Sequence, residues 1–309
     1  MTSRISRRLF LGSTLSAAGF VAVPGALVGA PLSIARKGAP RFLVGLAAYS
    51  FREYFEDSSH TRQKQVDPSR QIGLKGFIDY VAEQGCQGAE LTSYYFPPEF
   101  DREFLLELRR HAFLKGVEIS GSAVGNTFTL PDGPELDAEI SRVLRWIDHC
   151  ATLGAPHLRV FAGSPKGIST PDAIKQCVTA LKRCADHAGD RGVMLGVENH
   201  GGIVAKAEVL EEIIHAVNHD WVRVNLDTGN FYSATPYDDL ARLAPYAVNV
   251  QLKVEINSQP GGKSEADLKR IVEILRRANY QGYLTLEYEA AEDPWAAIPR
   301  HLEAIRGLI

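Results

Sequence analysis

The sequence predicts an α/β protein built as one (β/α)8 barrel. Three observations carry this reading. Short β-rich runs alternate with longer segments of helical period from residue 42 onward. Eight such pairs fill about 270 residues, the usual size of this barrel. No G-x-G-x-x-G follows the first strand, which tells against a doubly wound open sheet.

The elements follow in order. Strands are expected at 42–49, 87–92, 117–123, 157–161, 193–198, 221–227, 247–253 and 282–287. Helices are expected at about 71–84, 98–115, 134–153, 170–190, 205–218, 236–244, 264–278 and 293–308. The polar stretch 53–70, the longest insertion, should lie over one barrel end. Pro98-Glu99, Thr170-Pro171-Asp172 and Ser264-Glu265 read as helix starts. Gly116, Gly154 and Gly192 stand just before strands three, four and five, where helix stops belong. No linker or low-complexity run divides the chain.

The whole chain has 309 residues, 45% of them hydrophobic, and a formal net charge of −3. That balance argues against nucleic acid as a partner. The average conceals an asymmetry. Residues 1–35 hold Arg4, Arg7 and Arg8 and no acid, leaving 31 basic and 37 acidic residues, a net of −6, for the rest. Ser6-Arg7-Arg8-Leu9-Phe10-Leu11 and the Gly- and Ala-rich run after it resemble the twin-arginine export signals of bacteria. We therefore divide the chain into a signal, 1–35, and a barrel, 36–309. Ser33-Ile34-Ala35 offers small side chains for cleavage. The protein is expected in the periplasm or otherwise exported, with no stable membrane span after processing. This route carries folded proteins, so folding would occur in the reducing cytosol. Cys86, Cys150, Cys177 and Cys184 agree, since all lie in apolar or helical stretches and no C-x-x-C pair is present.

Strand alternation locates the chemistry. Val222, Val224 and Leu226 form one face of strand six; Arg223, Asn225 and Asp227 form the other. In strand seven Asn249, Gln251 and Lys253 oppose three apolar residues. Thr285 and Glu287 do so in strand eight, and Gly196 and Glu198 in strand five. The apolar rows must meet the helices, so the polar rows point into the barrel. Barrel interiors are normally filled by branched apolar side chains, and buried polar groups need partners. Glu198, Asp227, Gln251 and Glu287 fall at the C-terminal strand ends, where barrel active sites lie. Clustered carboxylates repel and shift one another's pKa. A divalent cation held by these four oxygen donors would relieve that repulsion, Mn²⁺ or Mg²⁺ rather than Zn²⁺.

At these residues the chain resembles the xylose-isomerase-like barrel superfamily of sugar isomerases and epimerases. The resemblance covers about residues 42–309. It rests on Val197-Glu198-Asn199-His200-Gly201-Gly202, Leu226-Asp227-Thr228-Gly229-Asn230 and Leu286-Glu287, with Tyr49-Ser50-Phe51-Arg52 and Ala123-Val124-Gly125-Asn126 as further matches. The family pattern places Glu, Asp, His and Glu on a metal. Strand seven usually reads His-x-Lys-Asp; here it reads Gln251-Leu252-Lys253-Val254, so an amide replaces the imidazole and the acid is absent.

The resemblance implies a metal-dependent isomerase or epimerase acting on a keto sugar through an enediolate. Glu198 and Glu287 would serve as acid and base, and Asp227 and Gln251 would hold the metal. Lys253 would stabilise the oxyanion or form an ion pair inside the barrel. Arg52, Glu90, Asn126, His200 and Asn230 are candidate substrate-binding residues, and Tyr94, Tyr95, Phe96, Phe231 and Tyr232 candidate sugar-stacking or packing aromatics. Export favours a free sugar or glycoside as the small-molecule partner. Two alternatives stay open: a lyase eliminating the aglycone from 3-keto-glycosides, and a non-catalytic carbohydrate-binding barrel. An oligomer is compatible with the sequence.

Overall fold

The computed structural model describes residues 33–309 apart from Gln63. The twin-arginine motif and its apolar run lie outside the described residues. The elements run β1 (Arg41–Ala47), α1 (Leu74–Glu83), β2 (Gly88–Thr92), α2 (Arg102–Leu114), β3 (Glu118–Ala123), α3 (Pro134–Leu153), β4 (His157–Phe161), α4 (Thr170–Arg191), β5 (Met194–Glu198) and α5 (Ala207–Val217). They continue with β6 (Val222–Asp227), α6 (Pro236–Leu243), β7 (Ala247–Leu252), β8 (Glu255–Ser258), β9 (Gly262–Glu265), α7 (Leu268–Arg277), β10 (Gln281–Leu286) and α8 (Pro294–Arg306).

Eight strands close in the order β1-β10-β7-β6-β5-β4-β3-β2, and each adjacent pair is parallel. This is a (β/α)8 barrel, with α1 to α8 following the eight barrel strands in turn. The apolar rows read from the sequence are buried: Val222, Val224, Leu226, Val250, Leu252, Leu284 and Leu286 all belong to one continuous core. The opposite rows enclose polar groups, as the alternation predicts; Asn225, Asp227, Gln251 and Thr285 are also fully buried.

Helix ends explain the boundaries. Ser169 caps α4 by accepting from the Asp172 amide, and Asp101 caps α2 by accepting from Phe104. Gly154 and Gly192 stop α3 and α4 with φ of 77° and 68°, a conformation costly for other residues. Pro98-Glu99 does not start α2, because Asp101 supplies the cap three residues later. The Ser264-Glu265 start is also corrected. Both residues belong to β9, paired antiparallel with β8 in a hairpin outside the barrel. Asp267 caps α7 instead, accepting from the Arg270 amide.

All four cysteines are free and buried. Among the described residues, no helix is long and apolar enough to cross a membrane.

Candidate active site

A cavity of about 210 Å³ opens at the C-terminal end of the barrel. Tyr49, His60, Tyr94, Arg159, Phe161, Glu198, His200, Asn230, Lys253, Glu287 and Glu289 line it. Its walls follow from the topology. Arg159 lies in the middle of β4, and Glu198, Lys253 and Glu287 lie at or just beyond the ends of β5, β7 and β10. His60 comes from the insertion after β1 and stacks on Tyr94, with ring centroids 6.0 Å apart. The insertion therefore does reach over a barrel end. A smaller cavity of about 90 Å³ adjoins the first across Asn230, Lys253 and Glu289, and its far wall is the β8–β9 hairpin.

Two cations of the chain organise the acids. Arg159 Nε lies 2.9 Å from Glu198 Oε2. Its guanidinium sits 3.9 Å above the Phe161 ring centroid, and Nη1 donates to the Val124 carbonyl at 3.0 Å. Asn230 Nδ2 donates to the other Glu198 oxygen at 2.9 Å. Lys253 Nζ stands 2.6 Å from Glu287 Oε2 and 3.4 Å from Asp227 Oδ2, and it also contacts Glu289. Burial pushes the Glu198 and Asp227 carboxyls up, and neighbouring carboxylates add to the effect. Burial opposes the Lys253 ammonium, yet Asp227, Glu287 and Glu289 hold its pKa well above the ordinary value. Burial lowers the His200 imidazole, whose ring packs 4.4 Å from that of Phe161.

Below the cavity a polar belt crosses the barrel axis. Asn225 Nδ2 donates to Gln251 Oε1 at 2.7 Å, and Gln251 Nε2 donates to Glu90 Oε1 at 2.8 Å. Asn249 Nδ2 reaches Glu90 Oε2 at 3.0 Å and Asn225 Oδ1 at 2.8 Å. Burial pushes the Glu90 carboxyl up to about 7, with Glu287 contributing.

The structure thus brings Glu198, Glu287, Lys253, His200 and Asn230 to one cavity. Asp227 lies just beneath, its Oδ1 accepting from the Gly229 amide at 2.8 Å. Three expected substrate residues are placed differently. Glu90 is in the belt, engaged with two amides. Asn126 uses its whole side-chain amide on the Phe161 backbone, at 2.9 and 2.8 Å. Arg52 donates to the carbonyls of Tyr288 and Glu289 at 3.2 and 3.5 Å, bracing the wall behind the cavity. Of the aromatics, Tyr94 faces the cavity, Tyr95, Phe96 and Phe231 are core, and Tyr232 is exposed. The sequence reading missed Arg159, Glu289, Tyr49, His60 and Phe161 as cavity residues. Arg159 carries a legible signal, since it alternates with Leu158 and Val160 in β4.

Fold and site define a (β/α)8 barrel with an acid-rich, cation-bridged pocket at its C-terminal mouth. The chain belongs to the xylose isomerase-like TIM barrel family, whose profile matches residues 78–306. No curated protein matches it in sequence. Among solved structures it is similar to an L-ribulose 3-epimerase, at 16% identity over 86% of this chain and 93% of that one, with a TM-score of 0.67. A xylose isomerase-like barrel from Mycobacterium smegmatis in complex with magnesium is 17% identical over 86% and 96%, TM-score 0.66. The 3-keto-D-glucoside 4-epimerase from E. coli is 15% identical over 86% and 100%, TM-score 0.62. At these identities the likeness concerns the fold.

The donor set expected for a divalent ion, Glu198, Asp227, Gln251 and Glu287, does not fit one in this arrangement. Gln251 has both ends of its amide engaged within the belt. Lys253 places an ammonium between Asp227 and Glu287, and Arg159 is paired with Glu198. Among the described residues, no group of three or more His, Cys, Asp and Glu side chains is arranged to hold a metal ion.

Proposed function

We propose that the protein is a sugar isomerase or epimerase that enolises a keto sugar, with Glu198 and Glu287 as the paired acid and base. The observation that carries this is that both carboxyls line one monosaccharide-scale cavity together with Lys253 and Arg159. One carboxylate would take the proton from the carbon next to the carbonyl, and the other carboxyl would return a proton to the enediolate. Burial supports this role, because it keeps the Glu198 proton affinity nearer to neutral pH than a solvated glutamate allows. His200 and Asn230 are proposed to bind sugar hydroxyls. Tyr49 and Tyr94 offer aromatic walls to the apolar face of a sugar ring. The family relationship and the sugar epimerases among its structural neighbours support the substrate class. Export by the twin-arginine route, which we also propose, makes an unphosphorylated sugar or glycoside the natural substrate.

A second reading is favoured by the adjoining cavity under the β8–β9 hairpin. It offers room for an aglycone, and the same enediolate with a leaving group on the neighbouring carbon eliminates it.

The test is deuterium exchange at the α-carbon of keto-hexoses and of a 3-keto-glucoside, followed by NMR in D₂O. Wild type should exchange. Glu198→Gln and Glu287→Gln should each lose at least about 100-fold. Aglycone release without epimerised sugar would decide for elimination. Undiminished exchange in both variants would refute the assignment, and sugar binding without any exchange would leave a carbohydrate-binding barrel.

A further inference from the structure

We infer that the Lys253 ammonium is the resident cation of this site, standing in the place of a divalent metal ion. The inference deepens the proposed enolisation and rests on it for its chemistry, although its principal test does not.

Three observations agree. Lys253 Nζ is 2.6 Å from Glu287 Oε2 and 3.4 Å from Asp227 Oδ2, and it also touches Glu289. A Mg²⁺ ion sharing those oxygens would sit about 2.0–2.1 Å from each, within a few ångströms of the ammonium and repelled by it. Gln251 cannot turn its amide oxygen to such an ion without abandoning Asn225 at 2.7 Å and Glu90 at 2.8 Å. Both are inside the barrel, where a broken hydrogen bond leaves an unpartnered polar group. Arg159 supplies the counter-charge for Glu198 at 2.9 Å. The residue after Lys253 is Val254, buried and without a donor atom in its side chain.

The ammonium carries three N–H donors. Glu287 and Glu289 take the two close positions. The third faces Asp227 at a long 3.4 Å and is the one a substrate oxygen would take. When the base removes the α-proton, the C–H electron pair enters the new C=C bond and the carbonyl oxygen becomes anionic. A fixed ammonium in a water-poor cavity stabilises that oxygen. The proton stays on one glutamate and the other glutamate returns one, so no further reactant is needed. Four carboxylates (Glu198, Asp227, Glu287, Glu289) still outnumber the two cations, so direct metal titration is the deciding measurement.

The full chain, as isolated, is analysed for bound metals, treated with chelator and titrated calorimetrically with MnCl₂ and with MgCl₂. The expected result is substoichiometric metal, no saturable binding below about 1 mM, and α-hydrogen exchange unaffected by the chelator. Lys253→Met removes the charge at similar length. It should lower exchange about 100-fold and bind Mn²⁺ at least about tenfold more tightly than wild type, because the carboxylates lose their counter-ion. One tightly held Mn²⁺ or Mg²⁺ per wild-type chain, with exchange lost on chelation and restored by metal, overturns the inference. Should Lys253→Met not fold, the wild-type titration still decides. Exchange absent with and without metal sinks the enolisation reading, while the titration separately reports which cation the site holds.

Discussion

An alanine at Gly196 should be destabilising chiefly through the His157 ring, so that changes at the two positions are energetically coupled. Gly196 faces the barrel interior from β5, and a Cβ there would stand 2.3 Å from His157 Nε2 and 2.9 Å from Asn225 Cβ. The ring cannot retreat. On its other edge lies Gly121 of β3, where a Cβ would meet Nδ1 at 2.9 Å. Two glycines on flanking strands therefore make the slot that one imidazole fills. Overpacking in a fixed core costs about 1–3 kcal/mol, and a contact about 1 Å too short against a confined ring belongs at the upper end. Gly196→Ala should thus lose about 3 kcal/mol. His157→Ala alone leaves a void and should lose about 2 kcal/mol. In the double variant the clash with the ring is gone and only the 2.9 Å approach to Asn225 Cβ remains, so the losses should fall short of their sum by about 2 kcal/mol. Urea denaturation followed by circular dichroism gives all four stabilities. Additivity within about 0.5 kcal/mol, or a Gly196→Ala midpoint equal to wild type, would refute the packing argument.

Two further predictions concern acid and export. Burial, reinforced by the nearby Arg159 guanidinium, pushes the His157 imidazole down to about 3. An unfolded histidine titrates near about 6.5, so below that pH the unfolded chain takes up a proton that the native ring refuses. The contribution is present in full above about pH 6.5 and is lost progressively as the pH falls toward 3, at about 1.4 kcal/mol per pH unit. His157→Leu should flatten the acid limb of the urea midpoint profile; identical limbs would count against a neutral buried ring. For export, replacing Arg7 and Arg8 by lysine should retain a reporter fused to residues 1–40 in the cytoplasm. Unchanged export of that variant would remove the twin-arginine proposal.

What could be read from the sequence was what a single strand determines. Alternation within β5, β6, β7 and β10 separated core from interior without knowledge of the neighbours, and it placed Glu198, Asp227 and Glu287 at the strand ends. The failures have a common cause. The role of Gln251 depends on Asn225 one strand away and on Glu90 across the barrel, and no local pattern reveals either. Asn126 has the same composition whether its amide faces a ligand or, as here, the Phe161 backbone. The β8–β9 hairpin escaped because Lys263, Ser264 and Glu265 are polar and mimic a helix entrance, while its strands are only four residues long. Arg159 alternates with two apolar residues in β4, but its partner Glu198 stands on the neighbouring strand, which no pattern within β4 reveals.

The asparagine clamps have a consequence for how this barrel can change. Asn126 bridges to both backbone groups of Phe161 beyond the end of β3. Asn199 does the same for Asp227 beyond β5, accepting from its amide at 2.9 Å and donating to its carbonyl at 2.8 Å. Each side chain acts as one extra rung of the sheet where the strands begin to diverge. The positions of Phe161 and Asp227 are thereby fixed by the framework and not by the loops that follow them. Those loops can lengthen, shorten or exchange side chains while the acids beneath keep their places. The barrel mouth is in that sense a fitted collar, to which new substrate preferences can be attached without retuning the chemistry below.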